Sequence, residues 1–193
     1  LPETTLHIVF SGNPGTGKTT VARLIARLYH ALGLLPRADV IEAPVSKIVQ
    51  AAIGGTREAM QATLERARGG VLFVDEAHQL AKENGQEAID ALVPFAENHR
   101  DDTVIILAGY PDPMRKFMEA DQGLPSRFAT RMRFSDYVED DLWSMLEAGL
   151  AKEGWTITQD AAPRLRSVMG ARRRSGEFGN GRVWLTLRPD GDA

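Results

Sequence analysis

At 193 residues the chain is long enough for one α/β domain with a small appended subdomain. Its 43% hydrophobic and 25% charged residues exclude wholesale disorder, and the absence of cysteine excludes disulfides and thiolate metal sites. A net charge of −3 gives no general pull on nucleic acid, and neither a bilayer-spanning apolar run nor a signal-peptide pattern is seen, so a cytoplasmic protein without membrane insertion is expected.

Residues 6–11 form a short apolar run that ends in a Gly/Pro-rich turn and reads as a buried strand. Val21, Leu24, Ile25, Leu28 and Tyr29 then recur at helical spacing over residues 18–32, with Gly33 as the C-terminal cap. Residues 39–43 are a weaker strand candidate. Thr56 is expected to cap a helix that carries Met60, Leu64 and Ala67 on one face and stops at Gly69-Gly70. Residues 71–74 make a second apolar strand, followed at once by Asp75-Glu76.

A helical pattern covers residues 86–98 with Pro94 inside it. An interior proline costs about 3 kcal/mol, so a kink or an early break is expected there. Residues 104–107 form a third buried strand. Apolar strands alternating with helices imply a parallel sheet covered on both faces. Beyond residue 135 the strand signals fade, and Leu142, Met145, Leu146 and Leu150 mark one helix, with another over residues 160–169. The expected division is an α/β core over residues 1–135 and a partial helical subdomain over 136–193.

The run Gly12, Asn13, Pro14, Gly15, Thr16, Gly17, Lys18, Thr19 matches the phosphate-loop pattern G-x-x-x-x-G-K-[ST] at every fixed position. Its glycines let backbone N–H groups turn inward around a phosphate, and the helix that starts near Lys18 adds a positive N-terminal dipole. Lys18 is expected to reach the β- and γ-phosphates of ATP and the Thr19 hydroxyl to coordinate Mg²⁺, with Thr20 completing the loop. Asp75 and Glu76 follow a buried strand, at the edge where ligands of open α/β sheets bind. Asp75 is expected to hold Mg²⁺, largely through water, and Glu76 to polarise the attacking water. A helix N-terminal cap is the alternative for this pair. Asp75-Glu-Ala-His78 also spells one helicase box, but no other helicase motif accompanies it. His78 reads as a solvent-facing or supporting residue rather than a catalytic one, and His7, His30 and His99 lack ligand spacing.

These segments carry a specific resemblance. Residues 6–20, the run Gly69-Gly-Val-Leu-Phe-Val-Asp-Glu-Ala77, Ile105-Ile-Leu-Ala-Gly-Tyr110 and Gly123-Leu-Pro-Ser-Arg-Phe128 resemble the CbbX family of AAA+ ATPases. That family includes red-type Rubisco activases, stage V sporulation K proteins and type VII secretion ATPases. The resemblance runs from about residue 6 to 182 and implies a P-loop NTPase fold with a helical lid. It also implies a ring oligomer, usually a hexamer, with ATP between subunits and a protein as substrate.

By resemblance Arg127 is the arginine finger acting on a neighbouring subunit, and Arg182 is a second sensor contacting phosphate in its own chain. Arg172-Arg-Arg174 reads as a solvated or subunit-facing edge. Four departures stand out. Ala52 occupies the aromatic position of the family's substrate-threading loop, and Tyr110 stands near the first-sensor position. The family's lead-in helix is not expected in the few residues ahead of the first strand, and the tail after Arg182 is Pro/Gly-rich. The expected function is an ATPase that remodels a protein partner. The alternative is a fragmentary or degenerate nucleotide-binding module with little turnover.

Overall fold

Three strands are apolar on both sides, which explains why they read as unbroken hydrophobic runs. The computed structural model describes residues 5–49, 55–82, 85–174 and 180. In β1 (Ile8–Gly12), β3 (Val71–Asp75) and β4 (Val104–Gly109), alternate residues enter two separate cores. Phe10, Phe73 and Ile106 pack on one face with Ala22 and Ala26 of α1 (Lys18–Ala31). Val9, Leu72 and Ile105 pack on the other with α3 (Gly55–Ala67), α4 (Gln86–Asn98) and α5 (Pro111–Ala120). Each large side chain so buried contributes about 1.5–3 kcal/mol.

With β2 (Val40–Pro44) and β5 (Thr130–Phe134), the strands form one sheet in the order β2-β3-β4-β1-β5, and every pairing is parallel. The expected α/β class with a parallel sheet between helices is what the chain adopts. The short helices α2 (Val45–Ile48) and α6 (Gly123–Arg127), and a 3₁₀ helix at Ala77–Ala81, complete this part of the chain.

The described residues fall into two compact units. One comprises Leu1–Gly12 and Lys18–Phe134 and holds the sheet; the other comprises Asn13–Gly17 and Ser135–Ala193. The second unit contains α7 (Glu139–Lys152) and α8 (Ala161–Arg174). Leu142, Trp143, Leu146 and Met169 form its core, and the Arg166 guanidinium lies 4.4 Å over the Trp143 ring.

Two expectations need correction, and one strand went unread. The helix at Gln86–Asn98 does not break at Pro94. Pro94 and Asp90 are both exposed, so water can satisfy the Asp90 carbonyl that the proline leaves without an N–H, while Ala88, Leu92 and Ala96 anchor the opposite face. Thr56 lies inside the first turn of α3, fully buried, rather than at its cap. Residues 130–134, with no apolar run to mark them, form an edge strand whose Thr-Arg-Met-Arg portion is exposed.

His7 is a structural residue. It is fully buried, its Nε2 lies 2.8 Å from the Ala96 carbonyl, and its Nδ1 lies 3.0 Å from the Ile105 N–H. A carbonyl accepts and an amide donates, so the ring is neutral with its proton on Nε2. Burial holds its pKa below the ordinary histidine value.

Candidate functional site at the carboxyl edge of the sheet

The strand order sets the site. β1, β4 and β3 are consecutive neighbours, so their carboxyl ends bring Gly12, Gly109 and Asp75 to one edge of the sheet. β1 and β3 are two strand spacings apart, ~10 Å. The phosphate-loop pattern leaves β1 here, and α1 starts at Lys18. Lys18 Nζ donates to the Gly12 carbonyl at 2.8 Å, which holds the ammonium back over the strand end. Thr19 is half-buried on the first turn of α1 and Thr20 is exposed.

Asp75 closes β3, and its Oδ1 accepts the Glu76 N–H at 3.0 Å. Glu76 is a non-glycine residue in left-handed conformation, φ 56 and ψ 37, and its Oε2 accepts a hydrogen bond from Gln79. Glu76 occupies the N-cap position of the 3₁₀ helix that follows, without a side-chain cap hydrogen bond. A left-handed glutamate costs about 1–2 kcal/mol, and such outliers concentrate where a side chain must be aimed.

Gly109, at the end of β4, leaves no room for a β-carbon: one would lie 2.6 Å from His78 Nδ1 and 2.7 Å from Met114 Sδ. His78 is therefore packed inward rather than facing solvent. Its ring centroid is 5.5 Å from that of Tyr110 at an interplanar angle of 70°, and burial lowers its pKa. Tyr110 caps α5, with Pro111 at the first helical position.

Arg127 ends α6 and is held by its own chain. Its Nε lies 3.4 Å from Glu97 Oε2, and its Nη1 lies 3.0 Å from Ser126 Oγ and 3.3 Å from the Gly123 carbonyl. Ala52 and Arg182 lie outside the described residues, as do the side chains of Arg172-Arg-Arg174.

The middle of the phosphate-loop pattern, Asn13–Gly17, belongs to the second unit, where sequence reasoning missed three residues. Asn180 Nδ2 donates to the Pro14 carbonyl at 3.1 Å and to Asp136 Oδ1 at 2.9 Å, and its Oδ1 accepts the Tyr137 N–H at 3.1 Å. The Tyr137 hydroxyl donates to the Thr16 carbonyl at 3.2 Å. Asn13 Nδ2 lies 3.0 Å from both oxygens of Asp136, and Thr16 Oγ1 donates to the Asn13 carbonyl at 2.7 Å. Asn180 is 1% exposed and has φ 47. The signal for it was present in Phe178-Gly-Asn-Gly-Arg182, because asparagine between glycines tolerates the left-handed region and carries an amide.

Comparison with known proteins agrees with this geometry. Residues 8–136 match the model of the ATPase family associated with various cellular activities (AAA). The chain is 41% identical over 183 residues to protein CbbX of Cereibacter sphaeroides, covering 92% of this chain and 59% of that one. It is 37% identical over 182 residues to the chloroplastic ribulose bisphosphate carboxylase/oxygenase activase of Cyanidioschyzon merolae, covering 92% of this chain and 62% of that one. The chain thus spans about three fifths of the length of these relatives. A mutant of RuvB from Thermotoga maritima has a similar fold, with a TM-score of 0.66 at 23% identity, covering 94% of this chain and 53% of the other.

Proposed function

Because the chain belongs to the AAA family of ATPases, we propose that it binds ATP with Mg²⁺ on the loop at residues 12–19 and hydrolyses it to remodel a protein partner. The observation that carries this reading is that Gly12, Lys18 and Thr19 share one edge of a parallel sheet with Asp75 and Glu76, with β4 between their two strands. In this reading residues 1–135 are the nucleotide-binding core and residues 136–193 the lid.

Backbone N–H groups of the loop surround the phosphates, and the α1 N-terminus and the Lys18 ammonium oppose their charge. Thr19 and Asp75 suit Mg²⁺, which takes one or two protein oxygens and completes its shell with water and phosphate. Among the described residues no group of three or more His, Cys, Asp or Glu side chains offers an all-protein metal cage, so a cation that arrives with nucleotide is the better fit. When bound, Mg²⁺ would neutralise charge on the phosphate oxygens. Glu76 accepts a proton from the attacking water and orients it; Gln79 limits where its carboxylate swings.

Arg127 acts on the nucleotide of a neighbouring copy in a ring, proposed as a hexamer, and has to leave Glu97 to do so. Arg182 reaches phosphate in its own chain. The likeness to CbbX and to the activase supports a protein as the remodelled partner, and a net charge of −3 gives no general pull on nucleic acid. A second reading, nucleotide binding with little turnover, is favoured by the contacts that occupy Glu76 and Arg127.

Steady-state ATP hydrolysis against protein concentration separates the two. A rate per subunit that climbs with assembly and falls ~10³-fold or more in Arg127→Ala supports the ATPase. Tight ATP binding with negligible turnover in fully assembled protein supports the binding module.

A further inference from the structure

The side chains that grip the loop from outside decide how its amides face. In a planar trans peptide the carbonyl of one residue and the N–H of the next point in opposite directions, and the described chain has no cis peptide bond. Asn180 and Tyr137 donate to the carbonyls of Pro14 and Thr16. The N–H groups of Gly15 and Gly17, which share those two peptide planes, are thereby turned away from them. Gly15 and Gly17 have φ values of 74° and 91°, where glycine rotates at little steric cost. Without a grip on the carbonyls, these are the peptide planes freest to flip.

We propose that Asn180, Asp136 and Tyr137 are positioning residues that hold the Pro14–Gly15 and Thr16–Gly17 peptides with their N–H groups aimed at the phosphates of a bound nucleotide. The inference rests on the phosphate-loop reading above.

The polarity of the network supports it. The Asn180 amide faces two groups that only accept, the Pro14 carbonyl and the Asp136 carboxylate, and one that only donates, the Tyr137 N–H. All three bonds are satisfied in a single orientation of the amide, so the flip is fixed by chemistry. Asp136 holds that amide and also takes the Asn13 side chain, which ties the start of the loop to the same point. Asn180 is buried and backbone-strained at φ 47, a cost that a residue without a task would shed by becoming glycine. A β-carbon on Gly17 would come within 3.1 Å of the Tyr137 hydroxyl, so the loop and its clasp are fitted closely.

The test is calorimetric titration of the full chain with ATP and, separately, with inorganic tripolyphosphate, which has no base or sugar to bind elsewhere. Wild type is compared with Tyr137→Phe, Asn180→Leu and Lys18→Ala, and melting temperatures are recorded. Both clasp variants should weaken both probes by the same factor, about tenfold each, as expected for one lost orienting hydrogen bond in a site where charge is opposed by dipoles. In Tyr137→Phe the backbone amide signals of Gly15 and Gly17 should also shift less on adding tripolyphosphate. If Asn180→Leu fails to fold, Tyr137→Phe decides alone, since it removes one oxygen. Wild-type affinity in Tyr137→Phe, while Lys18→Ala binds poorly, overturns the clasp and leaves the phosphate loop standing. Failure of wild type to bind either probe overturns both.

Discussion

Glu76 and Asn180 are the described non-glycine residues with left-handed backbone; one belongs to the acidic pair and the other grips the phosphate loop. Backbone strain of this kind concentrates where a side chain has to be aimed. The acidic pair and the loop were legible because each is contiguous in sequence. The clasp was not: Asn180 and Pro14 are separated by 166 positions, and nothing local says that an amide will meet a carbonyl that far away. His7 carries a different residue-scale consequence. Its folded pKa is lowered, so below about 6.5 the unfolded chain binds a proton that the folded chain refuses. Its share of stability is present above that pH and is lost as pH falls toward the folded pKa. Urea midpoints between pH 7.5 and 5.5 should decline, by up to about 1.4 kcal/mol per pH unit from this group, and the decline should be shallower in His7→Gln. Equal slopes in the two proteins would show that His7 is not the group being titrated.

At the scale of elements, the strands that pack on both faces could be read from sequence, and the strand that packs on one edge could not. β3 and β4 spell Val-Leu-Phe-Val and Val-Ile-Ile-Leu because both sides of each meet a core. β5 spells Thr-Arg-Met-Arg-Phe because, among the described residues, it pairs only with β1 and leaves most of its side chains in solvent. Pro94 makes the complementary point. Its intrinsic cost is real, yet the apolar face of α4 outweighs it, so the helix persists with one hydrogen bond fewer on its wet side. Replacing Pro94 by alanine should therefore restore that bond and raise unfolding stability by roughly 1–3 kcal/mol in urea titration. No gain, or a loss, would mean that the proline ring makes packing contacts worth as much as the missing bond.

At the scale of the molecule, a five-stranded parallel sheet brings three consecutive strand ends to one edge, where the proposed chemistry lies. Gly12 leads into the phosphate loop, Gly109 makes room for His78, and Asp75 leads into Glu76. Fold class and family were readable from the order of these motifs, because each motif has to end a buried strand in order to work. What a glycine at Gly109 is for emerged only from the packing, since its reason is another side chain. The account's central claim is that Glu76 works on water at a nucleotide held by the loop. Equilibrium ATP binding and single-turnover hydrolysis, measured together in wild type and Glu76→Gln, test it most directly. The account predicts ATP affinity within about threefold of wild type and hydrolysis slowed by 10²-fold or more, about what loss of a general base costs. Hydrolysis by Glu76→Gln at the wild-type rate, with binding intact, would contradict it.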